Sequence, residues 1–135
     1  MQNQRMLFVG LLLAALAAAF HVFIFVLESV RWTEPATRKI FGVASEADAQ
    51  VTKPLAFNQG FYNLFLAIAA LLGIVLVLSG QATVGLTLIF AGVGMMLAAA
   101  LVLVLSNPKM ARSALLQGGL PLLAVIALAV AVAIS

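Results

Sequence analysis

Two ionisable side chains in the first apolar stretch, His21 and Glu28, are the residues best suited to acid–base chemistry. They are seven residues apart, so two helical turns bring them to nearly the same face, displaced by roughly 10 Å along the axis. Trp32 lies on that face too. We predict that His21 and Glu28 are catalytic or proton-handling groups and that Trp32 belongs to a ligand site. The alternative pairs Glu28 with Arg31 at the membrane edge and satisfies His21 with one hydrogen bond.

Four further polar side chains, Asn58, Gln59, Tyr62 and Asn63, begin a second long apolar run. Asn58 and Tyr62 are four residues apart, as are Gln59 and Asn63, so both pairs can point inward over about one helical turn. Hydrogen-bonding groups are costly to leave bare in hydrocarbon. We predict that these four residues bind the polar head of a ligand or a chain of waters. The alternative is that they join helices by polar contacts, which membrane bundles use routinely.

A third candidate, Gln117, stands just before Pro121 at the start of the last apolar run. A helix that began only at Pro121 would be roughly 21 Å long, which is too short to cross a hydrocarbon core of about 30 Å. We therefore predict that Pro121 lies inside the helix and frees the carbonyl of Gln117. The freed carbonyl and the Gln117 side chain would then complete a ligand cavity, or the proline would only kink the helix.

Several kinds of chemistry have no support in the sequence. The chain has no cysteine, which removes disulfides, thiol catalysis and thiolate metal sites. One histidine and few carboxylates fall short of a typical zinc ligand set, so no metal site is predicted. There is no Gly-rich phosphate loop and no Ser/His/Asp triad. The net charge of +3 is small and its residues are scattered, so no nucleic acid is expected as a partner.

The composition is that of an integral membrane protein. Of the 135 residues, 65% are hydrophobic and 8% are charged, with a mean hydropathy of +1.23. Soluble domains average roughly 45–50% apolar and about 25% charged residues. We predict one all-α domain over residues 1–135, a four-transmembrane-helix bundle with spans at about 7–32, 58–78, 84–105 and 113–134.

A polar loop over residues 33–57 connects the first two predicted spans. Ser45 and Asp48 fit a capping box that would start a short helix near residues 46–52, and Pro54 is expected to end it. With Arg31 at the adjoining end of the first span, this loop and the one between spans three and four account for six of the seven Lys and Arg residues. Basic residues are retained on the cytoplasmic side, so both loops are predicted to be cytoplasmic and both termini extracytoplasmic.

The spacing of these polar residues is similar to that of a known family. The motifs are His21-x6-Glu28-x3-Trp32-Thr33, then Phe41-Gly42, then Asn58-Gln59-Gly60-x-Tyr62-Asn63-x-Phe65-Leu66-Ala67. They resemble the bacterial four-helix membrane family called domain of unknown function 1304, over nearly the whole chain. The resemblance implies a multi-pass protein of the bacterial inner membrane. It implies no established reaction.

Three functions are compatible with such a bundle. The first is a binding protein or enzyme for a membrane-soluble molecule such as an isoprenoid, a sterol-like or a quinone-like compound. The second is a proton-coupled transporter or channel, and the third is an accessory subunit whose polar residues only fix helix packing. Membrane lipids, a hydrophobic small molecule and further copies of the chain are the expected partners.

Overall fold

All regular structure in the molecule is helical. The computed structural model describes residues 1–135. The α-helices are α1 (Gln2–Phe25), α2 (Pro35–Phe41), α3 (Glu46–Leu78), α4 (Ala82–Ser106) and α5 (Ala111–Ala133). A π-helical turn (Val26–Val30) follows α1, and a 3₁₀ turn (Pro108–Met110) precedes α5. Four helical segments, α1 with its π turn, α3, α4 and α5 with its 3₁₀ turn, are long and apolar enough to cross a membrane. The predicted all-α four-helix bundle is confirmed.

The four long helices form a bundle in which each packs mainly against two others. Helix α1 packs against α3 and α5, and α4 packs against the same two from the opposite corner. Small residues allow close approach: a Cβ placed on Gly73 of α3 would lie 2.6 Å from the Gly85 carbonyl oxygen of α4. In lipid, where the hydrophobic effect between helices is lost, such close backbone contact is a main source of association.

Helix α3 is longer than predicted, because Pro54 does not end a helix. The Ser45 hydroxyl accepts a hydrogen bond of 3.0 Å from the Asp48 amide, so the predicted cap is confirmed. The helix then continues through Pro54 to Leu78. Proline removes one hydrogen bond to the carbonyl four residues earlier, here Gln50. Gln50 and Pro54 are both exposed, so solvent can satisfy that carbonyl and the helix tolerates the loss.

The cytoplasmic placement of residues 33–57 stays a prediction.

One other local prediction is confirmed. Pro121 lies inside α5 and is buried. Gly80 follows the end of α3 with φ of +90°, a left-handed conformation that glycine adopts without a steric penalty.

The π turn at the end of α1 was not predicted. The Arg31 amide donates to the Val26 carbonyl, five residues back, at 3.0 Å. Single π turns inside helices are rare and are frequent at functional sites. This turn contains Glu28, so it places one of the predicted site residues in an irregular part of the backbone.

Candidate functional site

Glu28 and Asn63 form the one hydrogen bond in the molecule that joins polar side chains of two long helical segments. The Asn63 Nδ2 donates to Glu28 Oε2 at 2.8 Å and also lies 3.3 Å from the Gln59 carbonyl. Both side chains are buried, with 8% exposure for Glu28 and 9% for Asn63. A buried polar group costs little only when it is hydrogen-bonded, so each residue offsets the burial of the other. The Glu28–Arg31 pair, which was the alternative for Glu28, is not formed, because Arg31 pairs with Glu34.

The Glu28–Asn63 contact lies where α3 approaches the π turn most closely. A Cβ placed on Gly60 would lie 3.1 Å from the Glu28 Cβ and 3.0 Å from the Ser29 backbone nitrogen. The Ser29 hydroxyl donates to the Phe57 carbonyl at 2.8 Å. Because Gly60 has no side chain, the backbones of α3 and the π turn lie close together. Hydrogen bonds between these two segments can therefore form in successive turns, one from a side chain to the backbone and one between side chains.

His21 is buried and has a local hydrogen bond. Its exposure is 2%, and its Nδ1 lies 2.9 Å from the Ala17 carbonyl oxygen. A carbonyl oxygen only accepts, so Nδ1 carries the hydrogen of this bond. The ring also makes an edge contact with Phe20, with centroids 6.2 Å apart. No hydrogen bond joins His21 to Glu28, so the structure does not bring the two predicted catalytic residues into direct contact.

Asn58, Gln59 and Tyr62 face away from the bundle. All three are exposed, Tyr62 by 58%. Only Asn63, of the four polar residues predicted to point inward, does so. The reason is that α3 packs through a stripe of small residues at three- and four-residue spacing, in which Asn63 stands between Gly60 and Ala67.

Trp32 connects the short helix α2 to the start of α3. Its indole Nε1 donates to the Thr52 hydroxyl at 3.1 Å. Its ring lies 5.1 Å, centroid to centroid, from the ring of Phe41 at the end of α2. These two contacts, with the burial of Thr37, hold α2 against the bundle.

A cavity of about 210 Å³ lies between α1, α2 and α5 and is partly open at the surface. Eight of its ten lining residues are hydrophobic. The lining includes Phe20, Phe23, Leu27, Phe41, Ser113 and Gln117. Ser113 and Gln117 are the polar side chains among them, and both belong to the first two turns of α5. An apolar pocket with a few polar groups is the usual form of a small-molecule site.

His21 and Gln117 lie at the same level of the bundle. Helices α1 and α5 are antiparallel, and Gly10 contacts Leu128. His21 follows Gly10 by the same number of residues as Gln117 precedes Leu128. In antiparallel helices these equal distances place His21 and Gln117 at the same height. Phe20 and Ile24, on either side of His21 in the sequence, line the cavity.

The predicted site residues thus do not form one cluster. Glu28 meets Asn63 at the α1–α3 contact, while Gln117 lines the cavity on the other side of α1. Sequence reasoning missed Ser113 and Phe41 as lining residues. Ser113 stands one turn before Gln117, and that four-residue spacing is the signal that could have found it.

One exposed ion pair lies just after the π turn, outside the four long helical segments. The Arg31 guanidinium lies 2.7 Å from Glu34 and lowers the pKa of that exposed carboxyl. A lowered folded-state pKa means that the pair stabilises the fold above the ordinary pKa of a glutamate and that this contribution is lost as the pH falls. No group of three or more His, Cys, Asp or Glu residues is placed to hold a metal ion.

The comparisons with known proteins give one match. Neither the curated proteins nor the solved structures contain a match to the chain. The family model described as Protein of unknown function (DUF1304) matches residues 15–129. That match includes His21, Glu28, Asn63 and Gln117 and covers well over half of the sequence. The chain belongs to the DUF1304 family.

Proposed function

We propose that this protein binds a membrane-soluble small molecule in the cavity between α1, α2 and α5. The observation that supports the proposal is the lining, in which aromatic and aliphatic side chains surround Ser113 and Gln117. The apolar side chains would contact a ring or chain of the ligand. The Gln117 amide and the Ser113 hydroxyl, each both donor and acceptor, would bind its polar head.

The size of the cavity limits the part of the ligand that it encloses. An apolar cavity of about 150 Å³ takes up a benzene molecule. A cavity of about 210 Å³ therefore has room for one substituted ring or a few isoprenoid carbons. It cannot enclose a whole sterol or a long polyprenyl chain, so the remainder would lie in the surrounding lipid. A quinone-like ring or the head end of an isoprenoid fits this volume best.

The other polar residues support this site from outside it. Glu28 and Asn63 fix the contact between α1 and α3, and His21 lies next to two lining residues. Trp32 holds Phe41, which closes the α2 side of the cavity. We assign no reaction to His21 or Glu28, because neither lines the cavity.

The single tryptophan offers a direct test of binding. A short-chain benzoquinone, which quenches tryptophan emission, would be titrated into the protein in neutral nanodiscs. Trp32 lies against Phe41, so quinone in the cavity should quench saturably. Gln117→Leu, which removes one hydrogen-bonding group, should weaken the apparent affinity about three- to tenfold. Ser113→Phe, which fills the cavity, should abolish saturation.

The matched control is Leu115→Phe, which adds an aromatic ring to the same helix outside this cavity. It should bind like the wild type. Quenching that rises linearly with quinone and is equal in all four proteins would show that the cavity has no binding function.

A purely structural function is the second candidate, and the Glu28–Asn63 bond favours it. These two buried groups satisfy each other, as the polar residues of an accessory subunit would. A purely structural function predicts that all cavity variants keep the protein's activity in the cell. It also predicts that only the Asn63 and Glu28 variants fail to fold.

A further inference from the structure

A groove lies on the outside of the bundle between α4 and α5. It has a volume of about 230 Å³ and is lined only by Leu, Val, Ala and Gly residues. The two helices are in contact at its base, where a Cβ placed on Gly118 would lie 2.7 Å from the Ala100 Cβ. A Cβ placed on Gly119 would meet no atom within 4 Å, so the groove is open at that residue. The groove therefore has room for an apolar chain and offers it no hydrogen-bonding side chain.

The length of the groove matches the thickness of one leaflet. Its lining runs from Ala111 to Leu122 on α5, which is roughly 16 Å of helix. Half of a hydrocarbon core of about 30 Å is about 15 Å. The groove begins near the turn that joins α4 to α5, Pro108–Met110, and runs from there toward the middle of the bundle. It can thus hold one acyl chain of a lipid whose head lies at the level of that turn.

Two cations without acidic partners stand at the same end as that turn. Lys109 belongs to the turn, and Arg112 is next to Ala111 and three residues before Leu115, both of which line the groove. Lys109 and Arg112 are exposed and form no salt bridge, and the last acidic residue of the sequence is Asp48. Long cationic side chains extend along apolar surface and place their charge at the level of the lipid heads. The groove therefore ends beside two unbalanced positive charges, which lie outside it.

We propose that the α4–α5 groove binds a phospholipid with an anionic head, with one acyl chain in the groove and the head beside Lys109 and Arg112. The length of the groove suits the chain, and the two positive charges complement the head. Basic sites between transmembrane helices bind anionic lipid heads in other membrane proteins.

A second copy of the chain is a poorer occupant of this groove. Two copies inserted in the same orientation would bring their Lys109 and Arg112 residues to the same end of the interface, where like charges repel each other. The lipid site is also separate from the proposed function, because the groove shares no lining residue with the cavity between α1, α2 and α5.

The test compares two lipids with the same chains, dioleoyl phosphatidylglycerol and dioleoyl phosphatidylcholine. Native mass spectrometry of the protein in detergent micelles measures the affinity for the first bound molecule of each. One cation near an anionic head gives about a fivefold gain, so the wild type should bind the anionic lipid about five- to thirtyfold more tightly. The double variant Lys109→Gln/Arg112→Gln should lose this preference and keep its affinity for phosphatidylcholine, which also shows that it is folded.

Each half of the proposal has a matched control. Lys39→Gln/Lys53→Gln removes the same charge from exposed positions at the same end of the bundle and should keep the preference. Gly119→Leu, which fills the groove, should weaken the binding of both lipids about three- to tenfold. Ala99→Leu adds the same side chain at an exposed position of α4 outside the groove and should bind both lipids like the wild type.

Equal affinity of the wild type for the two lipids would overturn the inference, as would equal losses of preference in the two double variants. A wild-type dimer that Gly119→Leu abolishes, without any lipid preference, would assign the groove to a second copy of the chain and overturn it as well.

Discussion

Asn63 is the residue that best distinguishes a structural role of the polar side chains from a ligand-binding role. It points into the bundle and binds Glu28, whereas Asn58, Gln59 and Tyr62 are exposed. The sequence predicted that all four polar side chains point inward, and only Asn63 does so, because amide spacing alone does not mark the packing face. Small residues at Gly60 and Ala67 mark the packing face, and Asn63 stands between them.

Asn63→Ala should destabilise the protein by about 1–3 kcal/mol, because the buried Glu28 carboxyl loses its side-chain partner. In a double-mutant cycle with Glu28→Ala, the coupling free energy should be about 0.6 kcal/mol and no more than about 1.7 kcal/mol, the average and the maximum for polar contacts in a membrane bundle. Unfolding in mixed micelles measures both quantities. Strictly additive effects would show that the Glu28–Asn63 hydrogen bond contributes nothing to stability.

Gly60→Ala should destabilise by about 1–3 kcal/mol, since its new methyl group must displace Ser29 and part of the π turn. Gly119→Ala is the matched control, because a Cβ at Gly119 meets no atom within 4 Å. Relief of glycine's entropic cost in a helix should make that variant about 0.5–1 kcal/mol more stable. Equal stability of the two variants in the same unfolding assay would contradict the close approach at Gly60.

At the scale of the helices, the sequence predicts those features that depend on a few neighbouring residues. Ser45 caps α3, and Pro121 lies within α5 because the span requires that length. The π turn and the passage of α3 through Pro54 could not be predicted in this way. The π turn is held by contacts of Ser29 and Glu28 with another helix, and continuation past Pro54 depends on the exposure of the Gln50 carbonyl.

Pro54→Ala should stabilise the protein by about 1 kcal/mol, a fraction of the cost of proline in a helix interior. Alanine restores the amide that can bond to Gln50, and α3 is already helical on both sides. The midpoint of thermal unfolding, with circular dichroism for helix content, checks this. A less stable variant would indicate that Pro54 separates two helices.

At the scale of the whole molecule, charge determines the predicted orientation. Six of the seven Lys and Arg residues lie in or next to the two connections at one end of the bundle, and Arg5 lies near the other end. We expect the loop end to be cytoplasmic. The absence of native cysteines allows single-cysteine labelling with an impermeant maleimide. In intact bacterial cells Ser135→Cys should react, and Glu46→Cys should react only after permeabilisation; the reverse pattern would invert the topology.

The most direct test of the central claim is an experimental structure of the protein from a lipidic mesophase. The account predicts non-protein density in the cavity between Phe20, Phe41 and Gln117, with a polar atom within about 3.2 Å of the Gln117 side chain. The same density should be absent from Ser113→Phe and present in Leu115→Phe. A cavity filled by the protein's own side chains, or one without ligand density in the wild type, would contradict the account.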